Sequence, residues 1–80
     1  MHIVTLMNRQ IVDRLYVLTR LWLYHSDRIE ENYVSREYCD TNIEEDRQWL
    51  RNIEVDINYH ANKLYDVENE IREIIRFMLV

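Results

Sequence analysis

Eighty residues, a net charge of −5 and no Gly or Pro bound this chain to one small domain. Tight turns with positive φ want Gly and many loops use Pro, so a chain with neither has few turns; this argues against a β-sandwich or barrel and for a few long helices. Residues 1–38 hold five Arg against five acids, and residues 39–80 hold five basic residues against ten acids. Without a basic face to neutralise phosphates, no nucleic-acid partner is expected.

The first half of the chain carries two interleaved seven-residue series. Val4, Ile11, Leu18, His25 and Asn32 form one, and Asn8, Leu15, Trp22, Ile29 and Arg36 form the other. Together they are the a and d positions of a heptad seam, which predicts a helix over about 3–37. Ser26–Asp27 is a cap-like pair that could split it, but the seam passes through Ile29 without a change of phase, so a continuous helix is expected. Asn8, Arg9, Asp13 and Arg14 interrupt any secretory h-region. The apolar run Leu15–Tyr24 contains Arg20 and is too short to span a bilayer.

A turn is expected at about 38–41. Asp40 and Asn42 beside it are the residues most tolerant of left-handed backbone when Gly is absent. Cys39 is the single cysteine. It cannot form an internal disulfide, so a reducing, cytoplasmic location is expected. It reads as an exposed bystander that could cross-link a dimer on oxidation.

The second half is the stronger signal. Ile43, Leu50, Ile57, Leu64, Ile71 and Met78 recur every seven residues, with Asp46, Ile53, His60, Val67 and Ile74 between them. Thr41 followed by Glu44 reads as a capping box, and Glu45 and Asp46 suit the positive end of the helix dipole. The predicted helix runs over about 42–79.

Two helices of similar length with a short link run antiparallel. The expected fold is therefore all-α: one helical-hairpin domain over residues 1–80, coiled-coil-like, pairing with a second copy into a four-helix bundle. Apolar layers align when Leu18 faces Leu64, Trp22 faces His60, His25 faces Ile57, Ile29 faces Ile53 and Arg36 faces Asp46. The same alignment sets Arg14 opposite Glu70 and Arg28 opposite Asp56. Exposed ion pairs of this kind select an alignment more than they stabilise it.

The first helix has more apolar surface than one hairpin uses. Leu15, Tyr16, Val17, Leu21, Leu23 and Tyr24 cover nearly every face, and Ile75 and Phe77 add to the open end together with Ile3, Leu6, Met7, Leu79 and Val80. A helix apolar all round is buried all round, and exposed apolar patches mark interfaces. A second copy is the simplest cover, with a heteromeric partner next and a membrane surface last, since Asp13 and Asp27 oppose it.

No catalytic motif is present, so no enzyme is expected, and no cofactor. His25 and His60 lie on the seams. The expected role is that of core histidines which fix register; they are weak candidates for a metal or haem site, or for a pH switch that loosens the assembly below about pH 6. Neither Glu-x-x-His nor His-x-x-x-His spacing accompanies them. Asn8 and Asn32 read as register specifiers. Trp49, Glu44 and Glu45 near the turn are partner-binding candidates, since Trp is enriched at binding hot spots. The expected function is a non-catalytic interaction module, a small adaptor, inhibitor or regulator that is homo-oligomeric and binds one other protein. A structural subunit of a larger helical assembly is the second reading, and a metal or haem bundle the third. A turn-poor chain of this kind suits a virus or a mobile element.

Overall fold

The computed structural model describes the backbone of residues 2–79 and the side chains of residues 8–79. Two helices of 36 residues each, α1 (His2–Glu37) and α2 (Glu44–Leu79), pack against each other along their length. The chain is an all-α helical hairpin 65 Å long and 17 by 13 Å across. Its radius of gyration is 18.4 Å, against about 12 Å for a compact chain of this length. The backbone passes through Ser26 and Asp27 without a break, because intrahelical hydrogen bonds and the packed seam outweigh one weak capping signal.

The connection differs from expectation. It spans residues 38–43, and α2 begins at Glu44 rather than near residue 42. None of the described residues has positive φ, so Asp40 and Asn42 are not left-handed. The turn is closed instead by three-residue hydrogen bonds: Tyr38 and Cys39 donate to the carbonyls of Ser35 and Arg36, and Ile43 to that of Asp40. The Asn42 amide also donates to Oδ1 of Asp40 at 2.9 Å, an Asx turn. Thr41 is no capping residue; its carbonyl accepts from Arg47 at 3.1 Å. The start of α2 is held by Asp46, whose Oδ2 accepts the Asp40 amide at 2.8 Å. A longer link removes the need for the φ that only Gly adopts freely.

The core is one row deep. Among the described residues, Leu18, Ile53 and Val67 are its buried apolar side chains, and His25 and His60 are buried with them. All five come from one of the two seam series on each helix. The other series is only half-covered: Leu15, Ile29, Leu50, Ile57, Leu64 and Ile71 are half-buried, and Trp22 is exposed. The helices are thus rotated so that one row faces the partner helix and the second lies at the groove edge. Ile3, Val4, Leu6, Met7 and Val80 lie outside the residues whose side chains are described.

Candidate functional site

The axial alignment differs from the one expected from layer matching. His25 does not face Ile57, nor Trp22 His60. Nδ1 of His25 lies 2.7 Å from Nδ1 of His60, so the true partner of His25 stands three residues further along α2 than Ile57. Trp22 instead turns to the groove edge and donates from its indole nitrogen to Oε1 of Glu68 at 3.3 Å. The flanking charges meet as expected: Arg14 grips Glu70 with two hydrogen bonds of 2.7 and 2.8 Å, and Arg28 lies 3.6 Å from Asp56. Arg36 does not reach Asp46, which is occupied at the turn, and lies 4.0 Å from Glu54.

A chain of polar side chains crosses the middle of the hairpin. Asn32 donates to Oδ2 of Asp56 at 2.7 Å. Oδ1 of Asp56 lies 3.4 Å from Nε2 of His60, and His60 meets His25 through its other nitrogen. Tyr24 packs edge-on against both imidazoles and Tyr59 against His60. The hydrogen bond from Asn32 holds the Asp56 carboxyl below its ordinary value, with His60 and Arg28 adding to it. Burial pushes His25 below the ordinary imidazole value, and the positive charges of His60 and Lys63 push the same way. Among the described residues no three His, Cys, Asp or Glu side chains are grouped to hold a metal ion. Asp56 approaches His60 at Nε2, the far side of the ring from the Nδ1 contact, so these three donors do not converge on one point.

The residues expected at an interface fall as follows. Leu15 is half-buried in the hairpin seam. Tyr16, Val17, Leu21, Leu23, Tyr24, Ile75 and Phe77 are all exposed. They are not one patch. Val12, Tyr16 and Leu23 lie on one flank of α1 by helical spacing, and Val17, Leu21 and Tyr24 on the opposite flank. Val12, with 62% of its surface exposed, was not singled out by the sequence; its i, i+4 relation to Tyr16 is the signal that finds it.

The chain matches no known protein family, curated protein or solved structure. What it can do therefore rests on its own geometry. No described helix is long and apolar enough to cross a membrane. Near the turn, Trp49 is half-exposed. Glu44 is engaged by Arg47 and lies 3.8 Å from Arg51, while Glu45 is exposed. Of the acidic pair named as a contact surface, then, Glu44 is already paired within α2. Cys39 is half-buried rather than exposed, its thiol 3.7 Å from the Ser35 carbonyl.

Proposed function

We propose that this chain is a non-catalytic helical interaction protein that acts as a homo-oligomer, with two hairpins sharing a core as a four-helix bundle. The supporting observation is the surface that a single hairpin leaves uncovered. The accessible surface is 6743 Å² for a 10.0 kDa chain, whereas a compact monomer of that mass exposes about 5,200 Å². The surplus of about 1,500 Å² equals roughly two standard interface patches of about 800 Å² each. Two apolar flanks on α1 are where such patches would sit. A second copy seated on one flank turns the half-covered seam row into a closed core. The other flank, together with Trp49 and Glu45 at the turn end, is then the surface for a further protein.

The experiment is mass in solution by light scattering over a concentration series. A dimer or higher species at micromolar concentration supports the proposal. A soluble monomer throughout that series overturns it.

A further inference from the structure

The contact between His25 and His60 is a hydrogen bond that only certain protonation states permit. The two Nδ1 atoms are 2.7 Å apart, and the two residues are 7% and 4% exposed. At that distance one nitrogen donates a proton and the other offers a lone pair. The neutral pair satisfies this, and so does the pair carrying one extra proton. With both rings protonated, two N–H groups face each other and two positive charges share a site closed to water. The groups around the pair are unequal. From α2, Asp56 stands 3.4 Å from His60, with Tyr59 and Lys63 alongside. From α1 come Tyr24 and, bound to Asp56 rather than to the rings, Arg28. The carboxylate beside the pair thus stands on the His60 side. Among the described residues no carboxylate lies within ion-pair distance of His25.

We propose that the His25–His60 pair is an acid-sensitive latch at the middle of the hairpin: it closes when His25 is neutral and opens when a second proton arrives. The contact lies within one chain, so the latch operates whether or not the hairpin self-associates.

Its pH window follows from direction alone. His25 in the folded chain is pushed below its ordinary value by burial first, then by His60 and Lys63. A base lowered on folding contributes stability that is whole above its unfolded pKa of about 6.5. That stability is lost as pH falls from there towards the lowered folded value, because the unfolded chain binds a proton the folded chain does not. One such proton changes the unfolding equilibrium by up to about tenfold per pH unit. Asp56 is lowered as well, and its contribution is lost only in the carboxylate range below about pH 4, clear of the histidine window.

The test follows the imidazole signals of the ¹⁵N-histidine chain by NMR from pH 8 to 4.5, with urea unfolding at each pH for the native chain and for His25→Phe. The expected result has two parts. His25 titrates below 6.5, and the native chain loses stability below that pH with a slope that His25→Phe lacks. His2 and the carboxylates remote from the pair are common to both chains, and His60, which loses its partner in His25→Phe, is followed in each chain by its own NMR signal. A His25 that titrates at or above 6.5, or equal slopes in the two chains, overturns the latch. Should His25→Phe fail to fold, the NMR titration of the native chain decides the matter alone.

Discussion

Arg14 and Glu70 are joined across the hairpin by a fork of two hydrogen bonds, 2.7 Å from Nε and 2.8 Å from Nη2. They are 56 positions apart in sequence, so the bond reports helix alignment directly. Both side chains are well exposed, and water competes with the pair. Arg14→Ala is expected to leave the urea midpoint nearly unchanged at 0.5 M salt and to lower it slightly at low salt. The hydrogen bond from Arg14 also holds the Glu70 carboxyl below its ordinary value. That contribution is present above about pH 4.5 and lost as pH falls through the lowered folded value, so the difference between Arg14→Ala and the native chain should vanish in acid. A large loss at neutral pH and high salt would contradict this account.

Leu18 is the most buried of the described residues, at 2% exposure. In a core one row deep its removal leaves a cavity that neighbouring layers cannot fill. Leu18→Ala should destabilise the chain by about 2–5 kcal/mol, read by urea unfolding. Val12→Ala, at an exposed flank position, should leave the unfolding midpoint of the isolated hairpin unchanged while weakening self-association.

A charge on an apolar flank tests the interface without touching the core. Tyr16 and Leu23 share one flank of α1 and are exposed. Tyr16→Asp with Leu23→Asp would bury unpaired carboxylates in any dimer that uses that flank, and is expected to weaken the dimer by at least about a hundredfold. Helix content by circular dichroism should persist. A dimer of undiminished affinity would move the interface to the flank of Val17, Leu21 and Tyr24.

Asn32 acts on Asp56. Its 2.7 Å hydrogen bond is the first cause of the lowered Asp56 carboxyl. Asn32→Ala should raise that carboxyl towards its ordinary value, as followed by ¹³C NMR of the side-chain carboxyl. The stability supplied by the charged carboxylate would then be lost at a higher pH than in the native chain, because the folded value through which it titrates has risen. An unmoved Asp56 would mean that Arg28 and His60, the lesser causes, hold it by themselves.

Cys39 gives a chemical check on the turn. Burial, with Asp46 nearby, pushes its thiol above the ordinary value. Since the thiolate is the reactive form, alkylation at pH 7.5 should be slower than that of a free cysteine peptide. Opening the turn with Asp46→Ala, which removes the acceptor of the Asp40 amide, should restore the faster rate.

Much of this architecture was legible in the residues. The seven-residue recurrence through Leu50, Ile57, Leu64 and Ile71, and through Ile11 and Leu18, places two apolar seams on two helices. The absence of Gly and Pro leaves one turn between them, and antiparallel packing follows. Arg14–Glu70 and Arg28–Asp56 were predictable as well, because a long Arg side chain reaches its carboxylate over a range of axial offsets. What periodicity cannot determine is that offset. Sliding α2 by three residues moves it about 4.5 Å along the axis and keeps apolar layers facing apolar layers. Seam matching therefore placed His25 against Ile57, while the folded hairpin places it against His60. The short, rigid imidazoles tolerate no such slack: once buried, each nitrogen needs a partner. The composition and heptad pattern by themselves determined a two-helix hairpin with surplus apolar flanks. Only the tertiary structure decided that two histidines meet in its core, that Trp22 turns to Glu68 and that Asp46 serves the turn, because buried polar groups are paired by distance across the interface and not by spacing along the chain.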